Sequence, residues 1–118
     1  MAPLCRIVSW PLPCGEIRIG LVVVVPLRNA AELREEAAEM HNCLDNYASI
    51  CMTGDAVVFS MRDARTGKRL ACFLAERSWE DGRPTDWAIA ELKGKMNQAA
   101  RPQLLAIATI AVGKLNKR

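Results

Sequence analysis

The residues best suited to chemistry are concentrated in Glu39 to Ala48, "EMHNCLDNYA", which holds the chain's one histidine, a cysteine and its one tyrosine. Three kinds of chemistry need that mixture. A cysteine nucleophile needs a base within hydrogen-bond reach. A zinc site needs closely spaced Cys and His ligands. A helix face packed on a sheet needs only the apolar members. The metal option is the weakest, because one His and five cysteines (Cys5, Cys14, Cys43, Cys51, Cys72) without a CxxC pair leave only a scattered ligand set. No cofactor and no metal are expected.

The dyad option turns on helical geometry. From Asn29 onward, apolar residues fall at Ala30, Leu33, Ala37, Met40, Leu44, Tyr47 and Cys51, in steps of three or four. That is the period of one helical stripe. Asn29 and Glu32 match a capping box, with Asn in place of the usual Ser or Thr. On an unbroken helix, residues two apart diverge by about 200°, so His41 and Cys43 cannot meet. A shared site would require a break near Asn42, a poor helix former. The helix is expected to run to Thr53-Gly54-Asp55, with Cys43 a packed thiol and His41 at the rim, four residues from Asp45. Asn97 is a further candidate beside His41 and Cys43, and its side-chain amide also suits ordering of its own loop.

The elements that must position these residues read as follows. Residues 1–15, punctuated by Pro3, Pro11 and Pro13, allow at most a short edge strand around Cys5 to Trp10. Glu16 to Val25 predicts one strand that alternates at first and then turns apolar on both faces. After the first helix come three strands. Ala56 to Arg62 sets Val57, Phe59 and Met61 on one face, and Arg69 to Glu76 sets Leu70, Cys72 and Leu74 on one face. Between them "DARTGK" predicts a hairpin turn with Gly67 at positive φ. Asp86 to Leu92 sets Trp87, Ile89 and Glu91 on one face, and Gly94 ends that strand. Pro102 opens a last helix, apolar nearly all round and so expected to be the more buried of the two. The fold class is α+β: an antiparallel sheet of one strand, a helix, a three-stranded meander and a helix, with both helices on one face. With 118 residues, about half of them apolar, and no obvious linker or repeat, residues 1–118 are expected to form one domain.

Charge is unevenly placed. Up to Ser60 there are four Lys/Arg against seven Asp/Glu, and from Met61 twelve against six. The basic half includes Lys93, Lys95, Arg101 and the tail "KLNKR". It suits nucleic acid or an acidic protein surface, but at this modest excess a solvated face with a frayed tail is the favoured reading. Trp79 lies in the charged loop "ERSWEDGRP" between Arg77 and Arg83, where it would stack on a base, anchor a partner, or fold back over the sheet. Glu76 and Glu91 each continue an apolar strand face. Either they mark a buried carboxylate site or they lie where that face reaches water. No basic start precedes a long apolar run, and "IGLVVVVPL" is far shorter than the ~20 residues of a membrane helix. A cytoplasmic protein with reduced thiols and no membrane partner is therefore expected.

The run "ELREEAAEMHNCLDNYA", the strand "AVVFSMRD", a hairpin and "WAIAELKGKMN" together resemble the PcfJ-like domain family, over roughly Val25 to Asn97. The family pattern matches Met40, His41, Cys43, Tyr47, Trp87, Gly94 and Asn97. Its usual Glu-Gly is Glu36-Ala37 here, Asn42 stands where a second His is common, and Glu91 stands where Gln is frequent. Chemistry that needs paired histidines or that glutamine is not implied. Family members are often much longer, so the chain looks like their C-terminal module. The resemblance implies a setting, conjugative plasmids, integrated elements and phages, rather than a reaction. Three functions are weighed: a non-catalytic module docking on nucleic acid or a nucleoprotein complex; a stand-alone phage or plasmid inhibitor of a host defence (CRISPR-type) complex; and a Cys/His enzyme using Cys43, His41 and Asn97. The binding residues expected for the first are Trp79, Arg77, Arg83, Lys93, Lys95 and Arg101.

Overall fold

A computed structural model describes residues 9–41 and 47–117. Strands β1 (Ile17–Ile19), β2 (Val22–Pro26), β3 (Ala56–Asp63), β4 (Arg69–Glu76) and β7 (Ala88–Lys93) form an antiparallel sheet in the order β1-β2-β3-β4-β7. A small separate hairpin joins β5 (Trp79–Glu80) to β6 (Arg83–Pro84). The helices are α1 (Ala30–Met40), the single-turn α2 (Ala48–Cys51) and α3 (Pro102–Asn116). The α+β class and the antiparallel meander are as the sequence predicts. Among the described residues no helix is long and apolar enough to cross a membrane.

Three expectations are corrected. First, the helices do not share a face. Neighbours across the sheet, such as Val24, Met61 and Ala71, or Phe59 and Phe73, point one way and pack on Leu104, Ala108, Ala111, Val112 and Leu115 of α3. The alternate set, Ala56, Val58, Cys72 and Leu74, points the other way and packs with Leu33, Cys51, Leu27 and Trp10. The result is three layers. The reason is β3 itself: Ala56 to Met61 are all buried, and a strand apolar on both sides needs cover on both.

Second, Glu16 to Val25 is a hairpin, not one strand. Gly20 at φ +61° turns the chain, and Leu21 projects at the turn, 58% exposed. Val22 to Val25 therefore belong to a strand paired on both sides, not to an edge.

Third, α1 stops early. Asn29 caps it, its side-chain oxygen accepting from Glu32 N–H at 2.9 Å, while Glu32 reaches back to Arg28 N–H at 2.7 Å. At the other end His41 adopts the left-handed conformation (φ 52°, ψ 51°), and its N–H donates to the Ala37 carbonyl. This is the usual C-terminal stop, here made by a non-glycine residue. As expected of the more apolar helix, α3 buries Leu104, Ala108, Ala111, Val112 and Leu115, compared with Leu33, Glu36 and Met40 in α1, although its Leu105 and Ile110 lie half exposed.

Candidate nucleic-acid interface

The β3–β4 turn lies at one end of the sheet and is fixed by its own backbone. Asp63 Oδ1 accepts from Arg65 N–H at 2.8 Å and from Thr66 N–H at 3.1 Å, and these bonds hold its carboxyl below the ordinary range. Gly67, at φ +76°, donates to the Asp63 carbonyl at 2.8 Å. Ala64 N–H bonds the Leu21 carbonyl at 2.9 Å, so the β1–β2 turn lies alongside. So anchored, the turn presents Arg65 and Lys68 to solvent.

A second loop meets it from β7. Gly94 N–H donates to the Gln98 carbonyl at 2.7 Å, closing a tight turn through Lys95–Asn97. Met96 sits there at φ 60° and is 63% exposed, an unfavourable backbone conformation that aims a large apolar side chain outward. Lys95 and Lys68 line one recess of about 320 Å³ together with Glu39, Met40, Thr66, Gly67 and Arg69. Arg101, exposed, follows as the N-terminal flank of α3. Lys93 lies one step inside, its ammonium 3.0 Å from Glu91. This pole gathers exposed cations from separate segments; the acid lining the recess with them, Glu39, lies 3.8 Å from the Arg69 guanidinium, and Asp63 is committed to the turn. Such an array can contact successive phosphates of a polyanion.

The other expected binding residues are elsewhere. Arg77, Trp79 and Arg83 follow the far end of β4, roughly 20 Å away along an eight-residue strand. Trp79 is half exposed and is anchored by its ring edge: its Nε1–H donates to Asp55 Oδ1 at 3.0 Å. Arg77 Nε–H reaches the same oxygen at 3.1 Å, and its guanidinium lies 4.9 Å from the Trp87 ring centroid and 5.7 Å from that of Trp79. This cluster closes that end of the sheet by cation–π and hydrogen-bond contacts. The six residues therefore split into a basic pole (Lys93, Lys95, Arg101) and a structural clamp (Arg77, Trp79) with Arg83 exposed beside it.

The early stop of α1 removes the premise that kept His41 and Cys43 apart. His41 is exposed at the cap, whereas Cys43 lies outside the described residues. Asn97 ends the turn that packs against the C-terminal part of α1. Tyr47 and Glu91, 44 positions apart, are joined: the Tyr47 hydroxyl donates to Glu91 Oε2 at 2.7 Å. That bond, and then Lys93, hold the Glu91 carboxyl below its ordinary range. A carboxylate so stabilised is a weaker general base, and the arrangement suits anchoring better than proton transfer. The expected face of β7 is corrected here too. A bulge at Ala90 puts Ile89 on the α3 side and Glu91 opposite Leu74 on the other side. Glu76 is exposed at its strand end. Burial pushes the Cys51 thiol up to about 11, which makes it a poor nucleophile at neutral pH. Among the described residues no three His, Cys, Asp or Glu side chains are placed to hold a metal.

One polar cluster went unnoticed in the sequence. Glu36 is fully buried under α1, its Oε1 2.6 Å from Arg69 Nε and 3.7 Å from Arg62 Nη2. Arg62 Nε donates to the buried Ser60 hydroxyl at 3.0 Å, and Glu35 holds Arg69 from outside at 3.0 Å. Arg62 and Arg69 also border a groove of about 400 Å³ shared with Arg28, Glu16, Glu32 and Glu35. With both signs balanced, the groove favours no simple anion or cation. The available signal was register: Glu36 lies three after Leu33 and four before Met40, inside the buried stripe. No family model, curated protein or solved structure matches this chain.

Proposed function

We propose that this chain is a non-catalytic binding module that docks on nucleic acid, alone or within a nucleoprotein complex, through the basic pole. The observation that carries this reading is the meeting of Lys68 and Lys95, from the β3–β4 turn and the loop after β7, around one recess. Exposed Arg65 and Arg101 extend the same charge. The resemblance to PcfJ-like proteins supplies the setting, a mobile genetic element or phage. An enzyme is the less favoured reading, because the Tyr47–Glu91–Lys93 group is arranged as an anchor and the Cys51 thiol is held protonated.

Anisotropy of labelled single- and double-stranded DNA and of RNA, titrated at rising salt, tests it. Four phosphate contacts imply a loss of about a hundredfold between 50 and 200 mM salt. The double variant Lys68→Glu with Lys95→Glu should abolish binding with an unchanged circular dichroism spectrum. No binding at low salt, or binding indifferent to that double variant, refutes the proposal.

A further inference from the structure

Three turns share the end of the sheet that carries the basic pole: Gly20–Leu21, the β3–β4 turn and the loop after β7. They lie in a row about 19 Å wide, at ~4.8 Å per strand, which matches roughly five phosphates of one DNA strand. The row is not purely cationic. Leu21 stands exposed on one flank and Met96 on the other, with Arg65 and Lys68 between them and Lys95 beside Met96. Met96 is also out of place by type. Of the described non-glycine residues at positive φ, His41 and Asp81 are types that tolerate that conformation, and methionine is not. Met96 is held there by Gly94 N–H bonded to the Gln98 carbonyl at 2.7 Å and Gln98 N–H to the Lys95 carbonyl at 3.2 Å. Its side chain is mostly solvated, so packing in the core does not offset the strain.

We propose, building on the basic-pole reading, that the pole takes duplex DNA and that Met96 is a wedge inserted between two of its base pairs. Methionine is among the apolar side chains that part a base step from the minor groove and kink the duplex. Such a wedge must project beside cations that hold the flanking phosphates, from backbone that does not yield. Met96 meets both needs: it projects from a closed turn, and Lys95 precedes it directly.

The placement of the aromatic residues favours a duplex over a single strand. Proteins that bind single strands rely on aromatic faces on which successive bases stack. Here Trp10, Phe59, Phe73 and Trp87 are buried, and the Tyr47 hydroxyl is bonded to Glu91. Trp79 lies at the opposite end of the sheet, held by Asp55. A duplex presents a closed stack instead, and to reach base faces in it an apolar side chain must open a step. The minor groove of duplex RNA is wide and shallow, which offers a wedge less flanking contact than that of B-form DNA.

The full chain is tested on a short DNA duplex with a central TA step, which kinks easily, labelled at both ends for energy transfer. Wild-type protein should draw the ends together and bind this duplex more tightly than either separated strand. Met96→Ala should bind about tenfold more weakly and leave the duplex straight, with the slope of affinity on salt unchanged. Met96→Gly should do the same without lowering the denaturant midpoint, because glycine adopts the left-handed backbone freely. Met52→Ala changes an exposed methionine ahead of β3, at the other end of the sheet, and should alter none of these readings. A duplex that stays straight with wild-type protein, a preference for single strands, or full affinity in Met96→Ala overturns the wedge. Continued dependence on Lys68 and Lys95 would then leave the basic pole standing. Weaker binding matched by a lowered midpoint in both Met96 variants makes the residue structural and overturns the wedge too. Absence of any DNA binding at low salt removes wedge and basic pole together.

Discussion

The two faces of the sheet are built on different physics. Under α3 the contact is apolar throughout: Phe59 and Phe73 stack with centroids 4.9 Å apart amid valine, alanine and leucine. Under α1 an apolar patch around Leu33 and Leu74 gives way to a charged one, where Glu36 meets Arg69 and Arg62. Apolar contacts tolerate sliding as long as volume is filled, whereas a bidirectional ion pair fixes one position. The α3 side therefore supplies most of the stabilisation, and the α1 side supplies register. That assignment places α1, and with it the His41 cap, at a defined height above Arg69 and the basic pole.

Substitutions can break this comparison, and they rank by size. Phe59→Ala should cost about 3–5 kcal/mol, the range for a buried ring, seen as a lowered denaturant midpoint. Glu36→Ala should cost about 3 kcal/mol, because two guanidinium groups lose their buried partner. If a combined replacement of Glu36, Arg62 and Arg69 by apolar residues regains that loss but leaves α1 in several positions by NMR, the register role is supported. A single sharp set of α1 resonances would refute it. Asn116→Ala removes both bonds to Trp87 and should cost about 2 kcal/mol, at roughly 1 per bond.

Tyr47→Phe is a smaller perturbation with a definite sign. The folded-state value of Glu91 is depressed, so its contribution to stability is present above the unfolded value and is lost as pH falls through the folded one. Removing the hydroxyl should raise the Glu91 titration toward the ordinary carboxylate value, read by carboxyl NMR, and flatten the acid limb of stability. Glu35→Ala should change stability least, by about 0.5 kcal/mol or less. Glu35 holds the same Arg69 as Glu36 does but from a mostly solvated position. Equal losses from Glu35→Ala and Glu36→Ala would remove burial as the distinction between them.

Local signals in the sequence proved dependable. The Asn29 cap, Gly67 in its turn, Pro102 at a helix start and the β3–β4 pairing all depend on residues near one another, and all are present. What escaped notice was non-local. The continuous apolar run of β3 meant cover on two sides, but strand periodicity says nothing about which helix provides it. The break at His41 overrode an intact apolar stripe, because a left-handed histidine leaves no mark on hydrophobic spacing. The bulge at Ala90 reversed Glu91 for the same reason. Of the candidate site, the cations were visible in the sequence, but their division between two ends of the sheet was not. Nor was the pairing of Tyr47 with Glu91, or of Glu36 with Arg69, since each joins residues more than thirty positions apart.

The position of β3 and β4 at the centre of the three layers bears on the order of assembly. These two strands are joined by a short turn, so they can find each other without closing a long loop, whereas every other layer needs their surface as a template. Neither helix layer can settle before this hairpin does. Amide protons of Val57 to Met61 and Ala71 to Ala75 should accordingly exchange only when the whole molecule opens, after those of α1 and β7 have already gone.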